Sequence, residues 1–195
     1  FKKGVGIDSS INMLNLAKNN VNNSNWKFIK SDIMKMPFKN NYFDLALNFK
    51  LIMHFDYKER IKAYKEIRRV LKKNTVFIFD MGNKQYNKPI LIRMLLNFYR
   101  LFSNKKEESN LLPRIHNTLI TKEELIEELK DNDFSIVKIY GLHYYTNLVL
   151  FLLALSKRVK FLSSSIKSYI IKLEVKKQKH LERYGSFIII TKNEK

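Results

Sequence analysis

Val5-Gly6-Ile7-Asp8-Ser9-Ser10, taken together with Ser31-Asp32 farther along, decides how this chain is laid out. A short apolar strand delivers Asp8 at its carboxyl end, serines follow where a helix can start, and a second strand delivers Asp32 in the same way. Gly4 and Gly6 allow close approach to the first strand's backbone. In open parallel α/β sheets ligands bind outside the carboxyl ends of the strands, where a carboxylate can accept hydrogen bonds from ribose hydroxyls. Two such carboxylates at neighbouring strand ends suggest a nucleoside pocket.

Working outward, Phe1 to Asp8 reads as the first strand, and Ser9 or Ser10 can cap a helix whose Ile11, Leu14, Ala17 and Val21 share one face. Asn22-Asn23-Ser24-Asn25 breaks that helix. Trp26 and Phe28 belong to a second strand ending at Asp32, which Pro37 keeps from continuing. Tyr42 to Phe49 is nearly continuous in apolar residues, as a strand buried on both faces should be. Tyr57 to Lys73 turns helical, with Ala63, Tyr64, Ile67, Val70 and Leu71 on one side, and Asn74 can take a left-handed stop. Thr75 to Asp80 is a fourth strand, so right-handed crossovers join a largely parallel sheet.

Farther on, Ile90 to Phe102 reads as a helix rich in aliphatic, aromatic and basic residues, followed by a polar loop at Ser103 to Asn110. Thr121-Lys122-Glu123-Glu124 is a capping box opening a helix to about Lys130, with Leu125, Ile126 and Leu129 apolar. Phe134 to Tyr140 gives a fifth strand, Leu142 to about Arg183 a long helical segment, and Phe187 to Thr191 a last strand. No internal repeat or low-complexity linker divides the chain.

The 195 residues, 45% apolar and 13% aromatic, suit one domain with a sizeable core. Lysine and arginine outnumber aspartate and glutamate by 37 − 18 = 19, a charge that attracts nucleic acid, anionic lipid or acidic substrates at low salt. The lysines are scattered through a sequence crowded with Lys, Asn and Ile, so compositional bias explains the charge at least as well. Without cysteine there are no disulfides or thiolate metal sites, and four separated histidines give no metal-ligand spacing. The longest strictly apolar run, Leu148 to Leu155, is too short to span a bilayer. A cytoplasmic location, peripheral to a membrane if the chain meets one at all, is expected.

GVGIDSSINMLNLAK, FIKSDIMKMPFKNNYFDLALN, KEIRRVLKKNTVFIFD and LITKEELIEELKDNDFSIVKIYG follow one another in an order and spacing that resemble the class I S-adenosylmethionine-dependent methyltransferases, most closely the small-molecule branch called type 11. The resemblance implies an α/β, Rossmann-like methyltransferase fold, mostly parallel with an antiparallel last strand. It implies that Asp8 grips the cofactor's ribose with Ser9 and Met13 flanking it. Asp32 would accept from the adenine amino group, the backbone of Ile33 would lie beside the ring, and Asn48 and Phe49 would face the methionine half. Segments 84–118 and 143–183 would be lids forming the acceptor pocket.

In the family, one strand and a glycine-rich loop precede the strand that ends here at Asp8. Nothing in this sequence matches them, so residues 1–195 are expected to form a single incomplete domain lacking the first, central strand. By themselves they are expected to bind cofactor poorly.

S-adenosylmethionine is already a strong methyl donor, so the protein's main task is alignment and exclusion of water, and no nucleophile motif is required. A hydroxyl acceptor of high pKa would still want a base. His54 is the best placed, His116 and His143 less so, and no catalytic residue is assigned. The apolar run Leu148 to Leu155 with the basic Ser156 to Phe161 suits a pocket wall, or an amphipathic helix on anionic lipid. Either would fit a small hydrophobic acceptor such as a lipid or quinone-like molecule. Two other functions compete: a non-catalytic methyltransferase-like module binding RNA or an anionic membrane through its basic surface, and a nicotinamide dehydrogenase. The latter predicts neither Asp32 nor the terminal strand.

Overall fold

A computed structural model describes residues 3–21, 24–85, 119–142 and 185–194. The expected helix at 90–102, the helical segment at 142–183, nearly all of both lids, and His116 and His143 lie outside them. The described elements are β1 (Gly4–Asp8), α1 (Ile11–Asn20), β2 (Trp26–Lys30), β3 (Phe43–Asn48), a 3-10 turn (Ile52–His54), α2 (Tyr57–Val70), β4 (Leu71–Gly82), α3 (Lys122–Lys130), β5 (Phe134–Leu142) and β6 (Ser186–Asn193). From β1 to β4 the order strand, helix, strand, strand, helix, strand is the one the sequence implies.

The strands form two hydrogen-bonded groups. β1 and β2 pair in parallel, with Gly4 opposite Trp26 and Asp8 opposite Lys30. The other four run in the order β3-β4-β6-β5, with β3 parallel to β4 and β6 antiparallel to both of its neighbours. That arrangement is the largely parallel sheet with an antiparallel last strand read from the sequence.

Gly4 and Gly6 do what close approach requires. A Cβ on Gly4 would sit 2.6 Å from the Trp26 ring, and one on Gly6 2.8 Å from the Phe28 ring. The two rings stack with centroids 6.4 Å apart.

The core lies on one face of the four-stranded sheet. Phe77, Phe79 and Met81 of β4 and Phe187 and Ile189 of β6 are fully buried, and through Phe79 and from Phe187 on they alternate with the half-buried Ile78, Ile188 and Ile190 as a strand's two-residue period demands. Onto this face pack Ala63, Tyr64, Ile67 and Val70 of α2 and Leu125 and Leu129 of α3. Tyr64 meets Phe79 and Phe134 ring to ring, at 5.8 and 6.2 Å. Polar side chains on the buried face of β6 are satisfied: Thr191 donates to the Phe77 carbonyl and Asn193 to the Leu71 and Lys72 carbonyls.

Arg60 of α2 and Glu128 of α3 form a buried bidentate pair at 2.8 and 2.7 Å, and Arg60 also donates to the Phe55 carbonyl. The pair fixes one helix against the other. Burial, with the Glu128 carboxylate nearby, holds the Tyr64 phenol well above its ordinary range.

Several expectations need correction. The helix after Tyr57 stops at Val70 rather than Lys73, because Leu71 already pairs with Phe43 and the sheet captures the chain there. Asn74 does adopt a left-handed φ of 61°, but inside a β4 irregularity, since Leu45 next pairs with Val76. β2 ends at Lys30, and Asp32 lies in the following turn, bridged to Lys35. β3 is not buried on both faces, for Leu47 is 54% exposed. Of the apolar positions assigned to α1 only Leu14 is buried while Ile11 is exposed, and on α3 Ile126 is exposed.

Candidate functional site

Asp8 ends β1, and its carbonyl accepts from Ser31 N–H at 3.1 Å just beyond the end of β2. This bond ties the end of β1 to the turn after β2, the turn that carries Asp32. Each aspartate first organises its own turn. Asp8 Oδ1 accepts from Ser10 N–H at 2.7 Å, and Asp32 Oδ1 accepts from Met34 N–H at 2.9 Å. Short acidic side chains hold turns in this way whatever the function. The second oxygen, Oδ2, of each has no partner among the described residues. Turn and ligand roles are therefore compatible, one oxygen serving each.

α1 starts directly after this turn. Ser10 caps it, accepting from Met13 N–H at 3.4 Å, and the helix carries Met13 outward with its side chain 54% exposed. Ser9 is exposed beside Asp8. Ile33 follows Asp32 with its side chain in the core, which leaves only its backbone for a ligand.

Asn48 and Phe49 stand at the carboxyl end of β3. Asn48 is half-buried, and its Oδ1 accepts from Ile52 N–H at 3.2 Å, so it helps close the 3-10 turn. Phe49 is 51% exposed. His54 ends that turn with an exposed side chain. Asp8, Ser9, Met13 and Asp32 thus gather at the ends of β1 and β2, and Asn48 and Phe49 occupy the corresponding end of β3.

In the sequence Asp80 is only the last residue of the expected fourth strand. It is instead a buried carboxylate near the end of β4 that receives the Lys50 N–H at 2.7 Å and the Lys50 ammonium at 3.0 Å. The partners lie 30 residues apart, and no local pattern announces them. The Arg60 and Glu128 pair, 68 residues apart, escaped for the same reason. No group of His, Cys, Asp or Glu among the described residues could hold a metal ion.

Comparison with known proteins follows this geometry. Residues 1–79 match the sequence model of a methyltransferase domain. The chain is 31% identical over 144 residues to a demethylmenaquinone methyltransferase of Staphylococcus aureus, covering 69% of this chain and 58% of that protein. It is 28% identical over 151 residues to an uncharacterized protein of Methanocaldococcus jannaschii, covering 72% of this chain and 58% of that protein. The chain thus spans a little over half the length of these relatives. Among solved structures, a SAM-dependent methyltransferase from Methanosarcina mazei superposes with a TM-score of 0.58 at 16% identity, covering 98% of this chain and 82% of that one.

Proposed function

From the premise that this chain belongs to the class I S-adenosylmethionine-dependent methyltransferases, we propose that it transfers a methyl group from that cofactor to a small, hydrophobic acceptor. One observation supports the reading: Ser31 N–H bonds to the Asp8 carbonyl, tying the turn that carries Asp32 to the end of β1, and neither aspartate's Oδ2 has a partner among the described residues. Ribose hydroxyls and an adenine amino group are donors, and those spare oxygens are acceptors, so the residues present fit the adenosine half. Asp8 takes the ribose, with Ser9 and Met13 beside it. Asp32 takes the adenine amino group, and the Ile33 backbone flanks the ring.

The bound sulfonium supplies an activated methyl group. The protein's part is to orient it and keep water out. Asn48 and Phe49, at the end of β3, face the methionine half in this reading, with the exposed apolar Leu47 and Leu51 nearby. The name of the S. aureus relative supports a quinone-like acceptor.

Calorimetric titration with S-adenosylhomocysteine, on protein expressed from its whole reading frame, tests the proposal. Binding is expected, weakened about 10- to 100-fold in Asp8→Ala, since a hydrogen bond to a charged group contributes about 1.5–3 kcal/mol. Absence of binding in the unaltered protein would favour the non-catalytic module instead.

A further inference from the structure

We infer that Asp80 is a positioning residue of the site, acting through the backbone of Lys50 on the turn that presents Asn48 and Phe49. The inference rests on the methyltransferase reading, and its support is geometric.

Lys50 has φ 60°, left-handed backbone that a residue with a Cβ adopts at a cost and keeps only when its surroundings insist. What insists is Asp80. One oxygen accepts the Lys50 N–H at 2.7 Å, and the other meets the ammonium at 3.0 Å. The carboxylate comes from an almost fully buried residue, so it is a fixed point, whereas the Lys50 side chain is 62% exposed.

The held residue sits between two others that matter. Two positions before it, Asn48 closes onto Ile52 N–H at 3.2 Å, and two positions after it the 3-10 turn Ile52–His54 begins with the fully buried Ile52. The chain therefore leaves β3 along a path pinned at Lys50 and again at Ile52. Phe49 immediately precedes the first of these anchors and is exposed, as are Leu47 and Leu51. Exposed apolar side chains at Phe49 and Leu51, on either side of the left-handed Lys50, suit contact with an apolar ligand, and the course of the chain between them depends on that one residue.

Separating backbone geometry from charge and from core packing gives the test. S-adenosylhomocysteine affinity and thermal stability are measured for the unaltered protein, Asp80→Ala, Lys50→Val, and the double variant Asp80→Ala with Lys50→Gly. Asp80→Ala is expected to weaken binding at least tenfold. Lys50→Val, whose β-branched side chain resists positive φ, is expected to weaken it about fivefold while lowering the melting temperature less than Asp80→Ala does, because its side chain lies outside the core. Glycine adopts the left-handed conformation freely, so the double variant should recover at least threefold over Asp80→Ala alone.

If Asp80→Ala does not fold, Lys50→Val decides alone. Binding within twofold of the unaltered protein in either single variant would overturn the inference. So would weakening by Asp80→Ala with no recovery from glycine, since Asp80 would then act through the core. Failure of the unaltered protein to bind would overturn the methyltransferase reading, and this inference with it.

Discussion

From Gly4 to Lys30 Leu14 is the one buried side chain among the described residues, whereas along β4 and β6 Phe77, Phe79, Met81, Phe187, Ile189, Thr191 and Asn193 are all buried. The β1–β2 pair touches the core cluster through the half-buried Ile7. Of the candidate cofactor residues, Asp8 and Ser9 sit on or beside that thinly anchored pair, whereas Asn48 ends β3 of the well-packed sheet, where the buried Asp80 holds Lys50. Most buried side chains and the two candidate adenosine carboxylates thus come from different parts of the chain. Substitutions should move stability without affinity, or affinity without stability.

The largest effect is expected in the four-stranded body. Glu128→Ala leaves Arg60 buried without its counter-charge, and breaking such a pair costs about 3–5 kcal/mol. Urea denaturation should show the whole midpoint falling. A loss under about 1 kcal/mol would mean that Arg60 reaches water, and the contrast between the halves would weaken.

Next comes Gly6→Val. Its side chain would enter the space of the Phe28 ring, and overpacking of this kind costs about 1–3 kcal/mol. Amide exchange should quicken in β1 and β2 while β4 and β6 keep their protection, and a uniform loss of protection would show that the two regions unfold as one.

Asp8→Asn sharpens the comparison from the ligand side. An amide oxygen can still accept from Ser10 N–H, so stability should stay within about 0.5 kcal/mol. Affinity for S-adenosylhomocysteine should drop about tenfold, equivalent to roughly 1.4 kcal/mol.

The smallest effect is acidic. The Arg69 hydrogen bond, aided by Met36 N–H and opposed by burial, holds Glu66 below its ordinary value of 4.5. A carboxylate depressed in the folded state stabilises above its unfolded pKa and loses that contribution as pH falls through the folded value. Melting temperatures followed from about pH 6 down to 3 should therefore fall less steeply for Glu66→Gln than for the unaltered protein.

Elements written in local pattern were legible. The Thr121 and Glu124 capping box opens α3, with each partner bonded to the other's backbone, and the 3.6-residue period of α2 buries Ala63, Tyr64, Ile67 and Val70. A second box, Asp56 with Glu59, carries the same four-residue signature and fixes the start of α2. The position of Asp8 at the end of β1 was legible in the same way, whereas Asp32 falls in the turn after β2 rather than at the strand's end.

What escaped depends on distant partners. Helix α2 ends where β3 claims Leu71, and nothing within its own sequence marks Val70 as the last turn. Asn74 signals left-handed backbone correctly, yet that conformation serves a strand irregularity as well as it serves a helix end. Asp80 reads as nothing more than a strand's last residue until Lys50 is brought against it. Exposure of Ile11 and Ile126 was hidden because periodicity gives a helix's apolar face but not what covers it.

β6 lies between β4 and β5, and its Thr191 bonds to Phe77, 114 residues earlier. On the ribosome, β4 and β5 both emerge before the strand that joins them, each presenting an open hydrogen-bonding edge in the meantime. Contacts this remote in sequence close slowly, and exposed edges invite pairing with other nascent chains. Yield of correctly assembled protein in a cell should therefore respond to chaperone supply and to translation speed over the long stretch between β5 and β6.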